Sequence, residues 1–283
     1  MGSHGVHQVY YSQGNQSRLD ADPTRPTPIL SRRPFPLWGS SMRTTGGDGT
    51  TSYHGGYVKV EKRFASGLSF LMHYSLGKAL DYSSQVNETT RNFYDPKMSK
   101  GRSLFDIRSR AVISATYELP VGRGRRLLSS GGVLGQVLGN WQINTIMNVQ
   151  SGFPYFITVS GDTCNCGASA QTANQVGEPL SAFDQSRTKW FNTAAFAIPA
   201  VGTFGTSGRN ILSGPSQATV DLSLFKIVRL GESVRLQIRP EFFNALNRVN
   251  FGLPGSTVGT PTYGVITSVS DARVIQLGAK LAF

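Results

Sequence analysis

The chain has 283 residues, is rich in glycine (32), is 10% aromatic and only 16% charged, and carries a formal charge of +12 with a mean hydropathy of -0.18. That size suits one large β domain or two average ones, and glycine, Ser/Thr-rich stretches and aromatics favour many strands joined by loops. No apolar run reaches about eighteen residues, which excludes a helical membrane span, but a membrane-crossing strand shows lipid only every second residue and leaves a weak alternating signal over about ten.

In chain order, residues 4 to 12 read as a truncated first strand and 13 to 52 as a loop. From 56 to 64, Val58 and Val60 oppose Lys59, Glu61 and Arg63. After the turn Ala65-Ser66-Gly67 the chain returns with Leu68, Phe70, Met72, Tyr74 and Leu76, which predicts a hairpin. A loop from 82 to 107 follows. Residues 110 to 119 set Ala111, Ile113, Ala115, Tyr117 and Leu119 against Val112, Ser114, Thr116 and Glu118. The basic run at Arg123, Arg125 and Arg126 invites a nucleic-acid reading. The basic residues are nevertheless scattered singly along strands and turns rather than gathered on a helix or beside an aromatic platform, so no nucleic-acid partner is expected.

Residues 140 to 150 alternate Trp141, Ile143, Met147 and Val149 with Gln142, Asn144, Asn148 and Gln150. The loop from 152 to 216 holds both cysteines, Cys164 and Cys166. A Cys-x-Cys pair supplies half the ligands a structural zinc needs and no histidine lies near, so a loop disulfide or two free thiols is expected. Beyond it, Val220, Leu222 and Leu224 alternate with Thr219, Asp221 and Ser223. They connect through Leu230-Gly231-Glu232 to Val234, Leu236, Ile238 and Phe242, which alternate with Ser233, Arg235, Gln237, Arg239 and Glu241. Pro240 removes a ladder donor there and predicts a local irregularity. A loop from 248 to 271 precedes the last strand.

Three-residue turns at 65–67 and 230–232 thus alternate with loops of about twenty-five (82–107) and about sixty-five residues (152–216), the pattern of outer-membrane barrels. A soluble sandwich rarely carries such loops. The fold expected is all-β, an antiparallel transmembrane β-barrel segment of about eight strands of a larger barrel with long extracellular loops. Residues 1–52 are the truncated strand and an outer loop, 53–283 seven full strands, and the location is the bacterial outer membrane.

The final residues alternate apolar side chains at 277, 279, 281 and 283. Gln276, Gly278, Leu281 and Phe283 resemble the terminal β-signal of outer-membrane proteins, a strand edge of defined register that pairs with the barrel-assembly machinery.

A wider set of motifs is similar to the Oar-like branch of TonB-dependent outer-membrane receptors. It comprises Ser52-Tyr53-His54 leading into Val58-Lys59-Val60-Glu61-Lys62-Arg63-Phe64, Gly67-Leu68-Ser69-Phe70 through Lys78-Ala79-Leu80-Asp81, and Phe105-Asp106. Tyr117-Glu118-Leu119-Pro120 to Gly122-Arg123-Gly124-Arg125-Arg126, Trp190-Phe191-Asn192, Asp221-Leu222-Ser223-Leu224-Phe225-Lys226 and Phe243-Asn244-Ala245-Leu246-Asn247 with Asn250-Phe251-Gly252 complete it. The resemblance implies a periplasmic carboxypeptidase-regulatory-like module, a plug and a large barrel, working together in energised transport of a bulky, unidentified ligand. Neither module nor plug is recognisable, so the chain reads as starting mid-barrel, a wall-and-loop portion not competent for transport alone. The partners implied are outer-membrane lipid, the assembly machinery, a plug domain and the TonB energy-coupling system.

No catalytic, cofactor or metal residues are nominated and no enzyme activity is expected. The histidines at 4, 7, 54 and 73 lack metal spacing, and no nucleophile elbow or phosphate loop occurs. His73 is the nearest thing to a candidate base, and it reads more simply as a polar lumen residue, just as Tyr74 and Trp141 read as membrane-interface anchors. The alternatives are an autonomous small outer-membrane barrel with a structural or adhesive role and a secreted soluble β-sandwich.

Overall fold

The computed structural model describes every residue except 40, 41, 86, 87, 123, 129–131, 169, 170, 181–183 and 231–233. Among the described residues, eight strands form one antiparallel meander: β1 (Gly2–Gln13), β2 (Arg43–Ala65), β3 (Leu68–Asp81), β4 (Ser109–Glu118), β5 (Trp141–Gln150), β6 (Gln217–Arg229), β7 (Arg235–Phe243) and β8 (Val274–Ala282). Each pairs with its sequence neighbours, β1 and β8 are the two edges, and the two-residue strand Gly101–Arg102 adds to the end of β3. Strands β4, β5, β7 and β8 are 9 or 10 residues long. That matches the roughly 9–11 residues a tilted strand needs to cross a bilayer.

The register turns the alternation into two chemically distinct faces, because side chains two apart share a face and directly paired residues lie side by side. Val60, Met72, Ile113, Met147 and Val220 make one continuous apolar row across five strands. The next row runs Phe70, Ala115, Thr145, Leu222, Phe242 and Ile275. The opposite face carries Lys59, His73, Val112, Asn148 and Thr219 in one row and Ser69, Thr116, Asn144, Ser223, Glu241 and Gln276 in another.

Three polar side chains on the apolar face, Thr145, Lys62 and Lys226, are internally satisfied, as a low-dielectric solvent demands. The Thr145 hydroxyl donates to the Asp221 carbonyl (3.0 Å), and Lys62 donates to the carbonyls of Ala65 and Leu68 (2.9 and 3.1 Å). Lys226 donates to those of Val137 and Gly139 (both 2.8 Å). Both lysines sit at the turn end of the wall and bend their ammonium groups out of the apolar band.

Three points of the sequence reading are refined by the structure. First, β2 begins at Arg43 rather than near 53, and β1 pairs with it through Gln13. The glycine-rich stretch Thr44–Thr51 looked like loop, yet the Tyr10 ring covers Gly46 and packs against Gly49, and the Tyr53 ring lies over Gly55 and Gly77, filling the space absent side chains leave. Second, Pro240 brings the local irregularity expected of it, as a lapse in one ladder rather than a bulge or slip. Its strand pairs with β8 without interruption, while on the β6 side the ladder lapses between Ser223–Glu241 and Lys226–Ile238 and resumes in the same register. Third, the turn end is not uniformly short. The 65–67 turn is tight, but 119–140 is a long connection that contains helix α1 (Gly132–Leu138). Of the 230–232 turn, residues 231 and 232 fall outside the described residues, and the Leu230 amide donates to the Val234 carbonyl across it (3.0 Å).

Candidate functional site: a cap built from four loops

All four long connections, 14–42, 82–108, 151–216 and 244–273, leave the same end of the wall. They do not lie as separate loops. Tyr155, Ile157 and Val159 alternate inward from the first stretch of 151–216 and meet Phe191, Phe196 and Leu212 from its later part. Phe191 is fully buried, with its ring edge-on to Phe196 (5.9 Å) and Tyr263 (5.3 Å). Trp190, Val258 and Tyr263 close the cluster, so the 244–273 connection contributes one side of it. Backbone bonds stitch the two connections together: the Thr158 amide to Ser256 O (2.9 Å), Trp190 to Gly264 O (2.8 Å) and Ile266 to Arg187 O (2.8 Å).

The other two loops join through polar contacts. Cys164 and Cys166 form a disulfide, one of the two states expected of the pair, and both are fully buried. Against this bridge lies the buried Gln16 side chain, whose amide donates to Cys166 Sγ (3.3 Å) while its oxygen accepts from the Phe93 amide (2.7 Å). One side chain therefore touches loops 82–108 and 151–216 at once. The Ser17 amide donates to Cys166 O (2.9 Å) and Arg32 to Asn165 O (2.6 Å).

Arg209 fastens this body to the wall. Its guanidinium, 4% exposed, pairs with Asp81 at the end of β3 (2.6 Å) and with both carboxylate oxygens of Glu88 (2.6 and 2.8 Å), and donates to Ser84 Oγ (2.8 Å) and Arg102 O (3.1 Å). By the alternation of β3, Asp81 belongs to the polar face, so the cap is tied to that side of the wall. Burial alone would lower the Arg209 pKa, but its hydrogen bonds and the charges of Glu88 and Asp81 win and hold it above the ordinary value. Arg91 is the counterexample. It donates to Thr172 Oγ1 (2.7 Å), to Ser207 O (2.8 Å) and to the Met98 carbonyl, its Nε has no protein acceptor, and burial aided by the nearby Arg209 charge pulls it down to about 10.

At the junction of the first three loops, Gln16, Ser17, Arg18, Leu19, Asn92, Tyr94 and Phe204 line a crevice of about 220 Å³ open to the outside. The Arg18 guanidinium lies 4.7 Å from the Tyr94 ring centre. A cation over an aromatic wall, beside amide and hydroxyl groups, suits recognition of a polar ligand.

The residues singled out from sequence are distributed along the wall, not in the cap. Gln276 and Gly278 sit on the polar face opposite Glu241 and Arg239, Leu281 sits on the apolar face opposite Leu236, and Phe283 lies beyond the end of β8, almost fully exposed. A side chain at Gly278 would meet nothing closer than 3.5 Å, so the glycine is not demanded by contacts within the chain. His73 is on the polar face and stacks on Tyr57 (5.2 Å, 17°), whereas Tyr74 and Trp141 are on the apolar face. The cap core escaped the sequence reading, although Tyr155, Ile157 and Val159 show the same period-two signal that marked the wall.

A comparison with curated proteins finds no match. A family profile described as an outer membrane beta barrel domain matches residues 1–276. The two faces then have two solvents, the apolar rows meeting lipid and the polar rows the lumen, and the soluble β-sandwich alternative falls away. The chain belongs to the outer membrane beta barrel domain family and forms antiparallel barrel wall, with a folded cap, in the bacterial outer membrane.

Proposed function

We propose that this chain is the wall and ligand-facing cap of an Oar-like TonB-dependent receptor for a bulky ligand, with no catalytic role. The motif set from Ser52 to Gly252 supports the family branch. The observation that carries the receptor reading is the cap itself. Four long loops, whose ordering costs conformational entropy, are fused by their own apolar core and by Arg209 into one preformed surface on the lumen side. Structural support of a membrane would not require that surface.

Energised transport needs a gate and an energy coupler in addition to wall and loops, so the 283 residues alone are proposed not to accumulate ligand. Gln276, Gly278, Leu281 and Phe283 are proposed to present the register read by the assembly machinery. The test is an immunoblot of native, detergent-solubilised outer membranes with an antibody against residues 232–247. A band far larger than 30.6 kDa that crosslinks to the energy-coupling protein is expected. A heat-modifiable band at 30.6 kDa without that crosslink would replace the receptor reading with that of an autonomous barrel.

A further inference from the structure

The connection 119–140, at the end of the wall opposite the long loops and so on the periplasmic side by the rule for such barrels, carries more exposed apolar surface than a turn in water needs. Helix α1 leaves Leu134 66%, Val137 57% and Leu138 52% exposed, and Leu127 and Leu128 are exposed just before it. These residues do not dangle. The Leu127 amide donates to Pro120 O (2.9 Å), Gly122 to Leu127 O (2.8 Å) and Asn140 to Val121 O (3.0 Å). The backbones of Gly122 and Gly139 touch so closely that a Cβ on Gly122 would lie 3.0 Å from the Gly139 Cα.

The direction in which this folded segment faces is set by two wall residues. Lys226 donates to the carbonyls of Val137 and Gly139, and the Trp141 indole donates to the Val137 carbonyl (3.1 Å). Lys226 and Trp141 are direct cross-strand partners, and Lys226 is in register with Ile238 and, beyond it, Ala279. All four therefore belong to the lipid-facing side. The end of α1 is pinned to that side at the lower margin of the belt, and its apolar residues continue the belt. Between Glu118 and Asn140 the sequence contains Arg123, Arg125 and Arg126 and no acidic residue, and Glu118 itself pairs with Arg125 (2.6 Å).

We propose that this connection is an interfacial membrane anchor whose occupant is the phospholipid inner leaflet of the outer membrane. Leu127, Leu128, Leu134, Val137 and Leu138 enter the acyl boundary, and Arg126 stands at the level of the lipid phosphates, while Arg125 is held by Glu118 (2.6 Å). Continuity with the lipid-facing belt supports lipid over a protein partner. So does the charge: a short apolar helix beside arginines and a tryptophan is the pattern of a segment lying in the headgroup plane. In water the same patch would be an association hazard.

The test uses the full chain in liposomes of phosphatidylethanolamine and phosphatidylglycerol, with a thiol-reactive fluorophore on Leu134→Cys. The native cysteines are engaged in their disulfide and leave the label unique. Val201→Cys in the cap, 64% exposed, is the matched control, and Leu277→Cys on the lipid-facing side of β8 reports insertion of the wall. Nitroxide-bearing lipid is expected to quench the label at 134 several-fold more than at 201, with aqueous iodide showing the reverse order. Iodide quenching at 134 equal to that at 201, while 277 is quenched from lipid, overturns the anchor and leaves the barrel intact. Protection from both quenchers also overturns it, in favour of a protein partner. Val137→Cys gives the same readout should the label at 134 prevent heat-modifiable folding.

Discussion

Replacing Arg209 by methionine should release the cap from the wall while leaving the wall folded. The substitution keeps most of the side-chain volume but removes the cation that lies between Asp81, 6% exposed at its side chain, and Glu88, 14% exposed. Breaking a buried ion pair by removing one partner costs about 3–5 kcal/mol, because the other charge stays buried without compensation. At 1.36 kcal/mol per decade this raises the population of the opened cap by roughly two to four orders of magnitude. Amide exchange by mass spectrometry on the micelle-embedded chain reads that population directly. Peptides covering 155–159 and 191–196 should lose protection by that factor, and peptides within β5 and β6 should keep theirs. Adding Asp81→Asn and Glu88→Gln should restore much of the loss, since the carboxylates stranded by the first change are then neutral. Unchanged exchange in 155–159, or equal loss in the wall, would refute the role assigned to Arg209.

Phe191→Ala removes a fully buried ring that touches Phe196 and Tyr263, and should loosen the cap by about 3–5 kcal/mol, measured as faster trypsin cleavage of the outer loops in intact membranes. Met147→Arg, in the middle of the lipid-facing row, should cost about 2–4 kcal/mol in urea unfolding from vesicles, whereas Asn148→Arg on the lumen face should change stability little; equal effects would contradict the face assignment. Burial pushes the Tyr263 phenol from 10.0 up to about 12 and raises Tyr155 as well, so the folded cap keeps protons that the unfolded chain has already released. Their stabilisation is complete below pH 10 and declines as pH rises toward 12. Tyr263→Phe should flatten that decline in cap protection, followed beside tyrosinate absorbance. Phe283→Ala should slow appearance of the heat-modifiable folded form with little effect on the unfolding midpoint of chains that have assembled.

The wall was legible because each strand obeys a rule that depends on nothing distant. Met147 and Val149 face one way, and Asn148 and Gln150 the other, whatever the strand is paired with. Where a strand depends on a partner, the sequence misleads. Residues 44–51 look like loop because the apolar matter that covers their glycines, Tyr10, is supplied by β1. The cap was illegible for a related reason. Arg209 and Asp81 are 128 residues apart, and no local pattern announces that one will neutralise the other. The cysteine pair was half legible: its spacing set zinc aside but left a disulfide and two free thiols open, and the structure shows the disulfide. The anchoring helix fell between the two: GVLGQVL is too short and too glycine-rich to signal a helix by itself, and its placement comes from Lys226 on a strand that follows much later.

A mean hydropathy below zero in a membrane protein, -0.18 here, follows from this division of labour. Only alternate residues of the strands meet lipid, and the lumen-facing half must be polar. The cap has neither solvent's help in holding its shape. Beyond the rim there is no hydrocarbon to hide apolar side chains, and the polar wall face offers no oily surface to dock on. The 151–216 connection therefore has to bury its own core around Phe191 and borrow Tyr263 and Val258 from its neighbour, and its attachment to the wall has to be ionic. This makes the cap separable in energy from the barrel. Apolar contacts set its internal stability and the Arg209 pair sets its hold on the rim, so variants of Phe191 should expose 155–159 while leaving 81–85 protected and variants of Arg209 should expose both, a difference that exchange in 155–159 relative to 81–85 resolves.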